Sequence, residues 1–354
     1  MKAAFWYGNK DLRVLETPEP KIKPGYVKIK ISWAGICGTD RHEYNGPVFI
    51  PVSKPNRLTG RVAPLILGHE FTGKIVEVGE NVIDWKIGDR VTASGNLVCG
   101  KCDWCKSGRV NLCERLAFNG IGEDGAFAEF IVVPTYQLFK IPANVTLEEA
   151  VLTEPLACGT HATKLIGDLT GKDIVIIGPG IIGMSCLIAA KHAGAKRVLM
   201  AGVGNTSEAI VREFGADEYV DVSKTNLVEY VRTWTNARMA EVVYECVGLE
   251  QTLENAINCS RNAAKIMIMG VYEKPPKFPM NFFQEGERVL LSSQAYVDEL
   301  ATVLDWMSKE DDKYLDLITR RITLDRIVED GFEELMAHND RHVKIAIKIN
   351  DFEQ

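Results

Sequence analysis

Two patterns of hydrophobic and polar positions divide the chain. Between residues 21 and 35, and again between 71 and 92, apolar and polar side chains alternate, as in "YVKIKISWAG" and "FTGKIVEVG". The segment "GAFAEFIVVP" continues this alternation as far as Pro134. Alternation with a period of two, interrupted by Gly and Pro, is typical of short antiparallel strands with one face on a core. The first 140 or so residues are therefore predicted to form a β-rich domain with long loops.

The second pattern begins near residue 147. "LEEAVLTEPLACGTHATKL" has helical spacing, and from Asp173 apolar runs such as "DIVIIG", "KRVLMAG" and "AAKIMIMG" alternate with amphipathic segments. Strands that are apolar throughout are buried on both faces, so this order predicts a parallel sheet covered by helices. After about Ser292 the order breaks, with a helical stretch near 298–309 and the strand-like "HVKIAIKI". The pattern alone does not assign these last residues to either domain.

Length and composition restrict the class of protein. A chain of 354 residues exceeds what one hydrophobic core usually supports, which favours two domains. The net charge of −7, without a run of Lys and Arg, argues against a nucleic-acid surface. The first residues include charges too early for a secretory signal, and no apolar stretch approaches the roughly 18 residues of a membrane span. We therefore expect a cytoplasmic protein without a nucleic-acid or membrane partner.

Four of the nine cysteines lie within fifteen residues, in "CGKCDWCKSGRVNLC". Cys99, Cys102, Cys105 and Cys113 are separated by two, two and seven residues, and a tetrahedral Zn²⁺ fits this set. An iron–sulfur cluster shares the first two spacings, but its usual fourth Cys follows after three residues and precedes Pro. Four thiolates leave no open position for a substrate. The lobe at residues 95–115 is therefore predicted to hold a structural zinc.

A catalytic zinc would need about three protein ligands, usually from separate parts of the chain, and a fourth position for a substrate oxygen. The candidate ligands are Cys37 in "GICGTDRHEY", His69 and Glu70 in "LGHEF", and Glu154 in "LTEPLACG". Taken singly, each could equally be a buried thiol, a hydrogen-bonded structural histidine, or a surface or capping carboxylate. The residues alone identify these four as candidate ligands but do not decide which of them bind a metal.

A glycine-rich turn follows the first apolar strand of the second pattern. In "DIVIIGPGIIGMSCLIAAKHAG", Gly178, Gly180 and Gly183 form G-x-G-x-x-G, and Ile181 and Ile182 open the helix. Small residues here let a pyrophosphate approach the backbone N–H groups at a helix N-terminus. A tight turn without a nucleotide is the alternative. The strand–turn–helix context favours a dinucleotide-binding site.

The end of the next strand bears on the choice of coenzyme. NAD-binding versions of this turn usually carry an acidic residue there, which holds the ribose 2′-hydroxyl. In "RVLMAGVGN" that place is Gly202, while Asn205, Thr206 and Ser207 could hydrogen-bond a 2′-phosphate. No arginine stands in the turn, since Arg212 lies in the next helix. The sequence predicts NAD(P), with a weak preference for NADP.

The motifs occur in an order that resembles one family. "GICGTDRHEY", "LGHEF", the four-cysteine lobe, "LTEPL" and "GPGIIG" together resemble the zinc-dependent medium-chain alcohol and polyol dehydrogenases over essentially the whole chain. "NGPVFIP", "LTGRVAPLILGHE" and "RIVEDGFEELMAHNDRHVKI" look most like the 2,3-butanediol dehydrogenases, followed by sorbitol and other polyol dehydrogenases. The resemblance implies an α/β protein with a GroES-like catalytic domain, residues 1–156 and 293–354. It also implies an inserted Rossmann coenzyme domain with a doubly wound parallel sheet, residues 157–292.

The same resemblance implies roles for the candidate ligands. It places Cys37 and His69 on a catalytic zinc, with Glu154 as the third ligand. Glu70 would coordinate transiently or exchange with Glu154, and the sequence does not choose between these carboxylates. With the structural zinc, two zinc ions per subunit are expected.

Further roles are implied for four other residues. Thr39 corresponds to the position of the family's hydroxyl that touches the substrate oxygen, and His42 to the position of its outer proton acceptor. Asp40 is expected to orient these groups, and Lys344 to approach the coenzyme phosphates. The family also suggests a homodimer or homotetramer formed by pairing of coenzyme-domain edges.

The predicted function is zinc-dependent, NAD(P)-linked oxidation of a secondary alcohol, with a ketone such as acetoin reduced in reverse. A vicinal diol such as 2,3-butanediol is the first candidate substrate, and a polyol or sugar the second. A metal-free quinone or enone reductase would have no reason to keep the dispersed ligands together. A zinc-dependent binding module is disfavoured because the charges around the cysteine lobe are nearly balanced. These charges are Lys101, Lys106 and Arg109 against Asp103 and Glu114.

Overall fold

The computed structural model describes residues 1–310 and 312–352. The chain divides into two compact units, Met1–Glu154 with Leu300–Gln354, and Pro155–Glu299. The first unit contains the largely antiparallel sheets and the second contains a parallel sheet. The predicted α/β fold class, a β-rich part combined with a doubly wound parallel sheet, is therefore confirmed. Within these described ranges, no helix has the length and apolar character needed to cross a membrane.

The strands of the described residues are, in chain order, β1 (Lys2–Gly8), β2 (Asp11–Glu16), β3 (Tyr26–Gly35), β4 (Leu65–Ile66), β5 (Glu70–Val78), β6 (Arg90–Ala93), β7 (Asn96–Leu97), β8 (Ala117–Phe118), β9 (Phe130–Pro134), β10 (Leu138–Lys140), β11 (Asp173–Ile177), β12 (Arg197–Gly202), β13 (Glu218–Asp221), β14 (Ala240–Glu245), β15 (Ser260–Ile268), β16 (Val289–Ser292), β17 (Ile318–Thr323) and β18 (Lys344–Lys348).

The α-helices are α1 (Gly38–Asn45), α2 (Asp103–Lys106), α3 (Thr153–Ile166), α4 (Ile181–His192), α5 (Glu208–Glu213), α6 (Leu227–Trp234), α7 (Glu250–Cys259), α8 (Met280–Glu285), α9 (Glu299–Met307) and α10 (Glu334–His338). Short 3₁₀ turns occupy Val110–Leu112, Thr135–Gln137, Glu149–Leu152, Lys313–Leu317, Leu324–Arg326 and Asn339–Arg341, and Ile327–Glu333 is a π-helical turn.

The main sheet of the first unit has the order β10-β6-β5-β3-β18-β17, and β9 also pairs with β3. Val27, Ile29 and Ile31 on β3 are fully buried, as the alternating pattern predicts. The last strand, β18, lies antiparallel to β3, with Ala346 opposite Gly35. β18 thus lies beside the strand that precedes Cys37. This pairing explains why local sequence could not place the final residues.

The second unit is a six-stranded sheet with the order β13-β12-β11-β14-β15-β16, and all of its strand pairs are parallel. Every residue of β11 is buried, which agrees with the continuous apolar run in its sequence. Because β12 lies on one side of β11 and β14 on the other, the connections diverge at the carboxyl end of β11. Ligands of open α/β sheets bind at such a switch point.

Candidate active site

Cys37 occupies the turn between β3 and α1 and caps the helix. Its Sγ accepts a hydrogen bond from the Thr39 amide at 3.5 Å, and its own amide donates to Asp40 Oδ2 at 2.9 Å. These reciprocal bonds satisfy N–H groups that a helix N-terminus leaves without partners. The start of α1 therefore fixes the direction of the thiol.

Strand pairing brings His69 and Glu70 to this thiol. Glu70 begins β5 and lies opposite Gly35 of β3, two residues before Cys37. Cys37 Sγ, a ring nitrogen of His69 and a carboxylate oxygen of Glu70 all lie within 4.8 Å of one another. A side chain at position 35 would collide with the Glu70 carboxylate. Glycine at this position is what allows the carboxylate to lie across the strand.

The donor atoms of this group suit a zinc ion. Thiolate, imidazole nitrogen and carboxylate oxygen are the ligand types that zinc takes in proteins. His69 Nδ1 and Asp40 Oδ1 lie 3.7 Å apart and are both buried, without a hydrogen-bond partner among the described residues. Burial opposes the charged imidazole, but Asp40 and Cys37 outweigh it and hold the pKa of His69 well above its usual value. A bound cation would neutralise the negative charges concentrated here and would accept the lone pairs.

Glu70 has a second partner that sequence reasoning missed. Lys344 Nζ donates to both Glu70 carboxylate oxygens at 2.6 Å and to the Ile36 carbonyl at 3.0 Å. Burial lowers the pKa of Lys344, but Glu70, Cys37 and Glu154 together outweigh this and raise it above its usual value. The structure therefore shows Lys344 in a buried ion pair. Its contact with coenzyme phosphates stays a prediction.

Glu154 is buried in the first turn of α3. It is not part of the compact group of Cys37, His69 and Glu70. Its charge nevertheless contributes to raising the pKa of both His69 and Lys344, so it lies near them. Both carboxylates remain candidates for the third zinc ligand.

Thr39 and His42 are partly buried residues of α1. Residues three apart lie on the same face of a helix, so their side chains are neighbours on one face. Sequence reasoning missed Glu43, the next residue, which is fully buried. Its carboxylate accepts hydrogen bonds from the amides of Val48, Phe49 and Ile50 at 2.7–3.2 Å. The segment that follows α1 is thereby tied back to the helix.

The four-cysteine lobe has the geometry of a closed metal site. The sulfurs of Cys99, Cys102, Cys105 and Cys113 all lie within 4.8 Å of one another, and none is in a disulfide. Cys113 Sγ accepts hydrogen bonds from the amides of Cys99 at 3.3 Å and Arg115 at 3.4 Å. Backbone N–H groups, those of Lys101 and Cys102 first, lower the pKa of Cys99 to about 6. Four cysteine sulfurs in this arrangement suit zinc.

The glycine turn lies at the switch point of the parallel sheet. Side chains at Gly178 and Gly183 would collide with neighbouring atoms, Val247 Cγ2 in the first case and the Gly178 carbonyl in the second. Gly180 is exposed, and a Cβ there would meet no described atom within 4 Å. Ile181 and Ile182 then begin α4 with N–H groups that the helix leaves available. The turn is tightly packed behind and open in front, as phosphate binding requires.

The turn after β12 is built partly by the next strand. A Cβ on Gly202 would lie 2.5 Å from Tyr219 Oη and 2.6 Å from Pro179 Cγ, so position 202 has no room for a carboxylate. Asn205 and Thr206 are exposed in this turn. The Gly204 amide donates to Asp221 Oδ1 at 2.9 Å. Asp221 supplies a carboxylate near this turn that sequence reasoning did not find, because it follows from the pairing of β12 with β13.

Each half of the chain matches a known protein family. Residues 23–143 match the family described as "Alcohol dehydrogenase GroES-like domain", and residues 182–309 match "Zinc-binding dehydrogenase". The (R,R)-butanediol dehydrogenase of Bacillus subtilis is 36% identical over 352 residues, which are 99% of this chain and 100% of the relative.

Two solved structures are similar along nearly their full length. The crystal structure of 2R,3R-butanediol dehydrogenase from Bacillus subtilis has a TM-score of 0.92 and 35% identity, covering 99% of each chain. A zinc-binding dehydrogenase from Sinorhizobium meliloti bound to NADP has a TM-score of 0.85 and 30% identity, covering 98% of each chain.

Proposed function

Because the chain belongs to the zinc-dependent medium-chain alcohol dehydrogenases, we propose that it oxidises a vicinal diol such as 2,3-butanediol and, in reverse, reduces acetoin. The family membership confirms the resemblance of the motifs. The observation that carries the proposal is the convergence of Cys37, His69 and Glu70 in a chain that aligns from end to end with a butanediol dehydrogenase. A polyol is the alternative substrate.

Zinc and NAD(P) supply the chemistry, since the metal acts as a Lewis acid toward the hydroxyl and the nicotinamide accepts a hydride. We propose that Cys37, His69 and Glu154 hold the catalytic zinc at rest. Glu70 is already neutralised by Lys344, so it would have to release that ammonium before it bound a metal. The four-cysteine lobe would hold a second, structural zinc.

The residues of α1 would handle the substrate proton. The Thr39 hydroxyl would accept the proton of the substrate hydroxyl while donating its own proton toward His42, which would release a proton to solvent. Both side chains lie on one face of the helix, which supports such a relay. Asp40 lies beside His69 and orients its ring.

Gly178, Gly180, Ile181, Ile182 and Gly183 would cradle the pyrophosphate of the coenzyme. Of the two coenzymes, NADP is the one we propose as preferred. Support comes from Gly202, where no carboxylate fits, and from the exposed polar turn residues Asn205 and Thr206. Asp221 acts in the opposite direction, because its negative charge near the turn would repel a 2′-phosphate. A higher kcat/KM with NAD than with NADP would contradict this part.

A second copy of the chain is the partner that we propose for β16. This strand is the last of the parallel sheet in the described part of the chain, and Val289 and Leu290 are both exposed on it. An exposed apolar strand edge is a template for pairing with another strand. Pairing of two β16 strands would give the predicted homodimer, or half of a homotetramer.

The substrate proposal is tested with the zinc-loaded enzyme and a panel of alcohols in the presence of each coenzyme. The panel contains the stereoisomers of 2,3-butanediol, glycerol, sorbitol and a simple secondary alcohol. We expect the highest kcat/KM for one 2,3-butanediol isomer. A higher kcat/KM for sorbitol would favour the polyol alternative and contradict the diol.

A further inference from the structure

Glu245 is a buried carboxylate for which the proposed reaction has no role. It ends β14 and lies opposite Ile177, the last residue before the glycine turn. Its side chain is fully buried. Oε1 accepts hydrogen bonds from the amides of Val247 and Gly248, both at 3.0 Å, and Oε2 accepts one from Tyr272 Oη at 2.8 Å and one from the Gly248 amide at 3.2 Å. A buried charge with several donors has a strongly preferred geometry, because each lost bond would leave it uncompensated.

The same residue connects two loops at the carboxyl edge of the sheet. The Glu245 carbonyl accepts hydrogen bonds from the amides of Met269 at 2.8 Å and Gly270 at 3.1 Å. Loop 246–249 and loop 269–272 are therefore attached to one residue, through its side chain and its backbone. A side chain at Gly248 would collide with the backbone of Val271. The two loops are packed backbone against backbone.

These loops present apolar side chains beside the glycine turn. Val247, Leu249 and Val271 are 41%, 58% and 41% exposed. Val247 also packs over the first glycine of the turn, because a Cβ on Gly178 would lie 2.7 Å from Val247 Cγ2. An exposed apolar surface next to a phosphate-binding turn suits a ligand that combines a planar ring with a pyrophosphate.

We propose that Glu245 is a positioning residue for the coenzyme, which holds the two loops so that their apolar side chains form a preformed surface for the dinucleotide. The proposal rests on the coenzyme part of the proposed function and is independent of the alcohol. Glu245 does not touch the coenzyme. It acts by keeping the two loops ordered before the coenzyme binds, so that binding does not have to order them. If the loops were loosened, the apparent affinity for the coenzyme would fall in proportion to the fraction of molecules whose loops are correctly placed.

The bond from Tyr272 is present across the working pH range. Burial, followed by the Glu245 carboxylate, raises the pKa of Tyr272 above its usual value, so the phenol stays protonated and donates. Replacing Tyr272 with Phe therefore removes one bond from the arrangement and leaves the bonds from the amides of Val247 and Gly248 in place.

The test compares three variants of the zinc-loaded enzyme. Glu245→Gln replaces one acceptor oxygen with a donor, and Tyr272→Phe removes only the phenol. Glu218→Gln is the matched control, because Glu218 Oε2 accepts a hydrogen bond from Tyr230 Oη at 3.2 Å, but at the amino end of β13. Dissociation constants for NADH and NADPH are measured by nicotinamide fluorescence, and amide hydrogen exchange is measured over 246–249 and 269–272.

We expect Glu245→Gln to raise both dissociation constants about tenfold, because it removes the charge that every donor of the arrangement faces, and to accelerate exchange in both loops. Tyr272→Phe should raise them about threefold, and Glu218→Gln should leave them unchanged. Wild-type dissociation constants in folded Glu245→Gln would overturn the proposal. If that variant does not fold, unchanged constants in Tyr272→Phe overturn it.

The outcome is separable from that of the proposed function. If the wild-type enzyme is inactive on diols but the variants show these changes in coenzyme affinity, the substrate is contradicted and the role of Glu245 is supported. An active wild-type enzyme whose variants bind the coenzyme normally would contradict only the role of Glu245.

Discussion

The ammonium of Lys344 lies 2.6 Å from both carboxylate oxygens of Glu70, although 273 residues separate them in the sequence. Both side chains are almost completely inaccessible to solvent. Removing one partner from such a pair leaves the other charge buried without compensation, which costs more than the pair itself contributes. This ion pair therefore couples the last strand of the first unit to the candidate metal ligands.

Replacing Lys344 should destabilise the protein strongly. Lys344→Met keeps most of the side-chain volume but leaves the Glu70 carboxylate unpaired, so we expect a loss of about 3–5 kcal/mol in the free energy of unfolding. Urea unfolding of the zinc-loaded protein measures it. Lys2→Met is the control, because Lys2 pairs with Asp325 at the surface and should change little. Equal losses in the free energy of unfolding for Lys344→Met and Lys2→Met would contradict this prediction.

Cys37→Ser should remove one zinc ion per chain and most of the activity. A hydroxyl is a much poorer zinc ligand than a thiolate, so we expect kcat/KM to fall by at least about 100-fold. Metal content by mass spectrometry should decrease from two zinc ions to one. In the control Cys246→Ser the zinc content should stay at two, because Cys246 contacts Cys186 at 4.0 Å in the second unit. Full activity and unchanged zinc in Cys37→Ser would refute the catalytic assignment.

Glu299 should make stability depend on pH in the acid range. Burial raises the pKa of Glu299, but hydrogen bonds from His161, Val297 and Lys164 outweigh it and lower the pKa to about 2. The unfolded value is about 4.3, so the charged carboxylate stabilises the fold above that pH. This contribution is lost as the pH falls through the folded pKa.

We therefore expect Glu299→Gln to cost about 2 kcal/mol at pH 7 and progressively less toward pH 2. Urea unfolding at a series of pH values measures the difference from wild type. Asp298→Asn is the control, because Asp298 contacts the same Lys164 but is 73% exposed. A cost that stays constant with pH would show that the Glu299 charge is not responsible.

A charge at the edge of β16 should prevent self-association. Leu290→Lys places an ammonium on the exposed strand, where a paired copy would bury it, so we expect the protein to become monomeric in sedimentation velocity. Met336→Lys, at a similarly exposed apolar position on α10, should leave the oligomer intact. A wild-type monomer, or an unchanged oligomer in Leu290→Lys, would contradict pairing through β16.

Short-range features of this protein could be predicted from the sequence. The four cysteine sulfurs converge, and the glycine turn joins a buried strand to a helix, because contiguous residues within about fifteen positions determine each of them. The alternation in β3 and the continuous apolar run of β11 likewise determine which faces are buried. The order of the dispersed motifs was sufficient to identify the family.

Long-range contacts were decided only by the tertiary structure. The pairing of Lys344 with Glu70 requires β18 to lie beside β3, and the carboxylate of Asp221 reaches Gly204 only because β13 pairs with β12. Glu245 gives no local sign that it connects two loops. The partners of a side chain across a sheet depend on which strands become neighbours. The free energy that selects those neighbours comes from burial of the whole core rather than from any local segment.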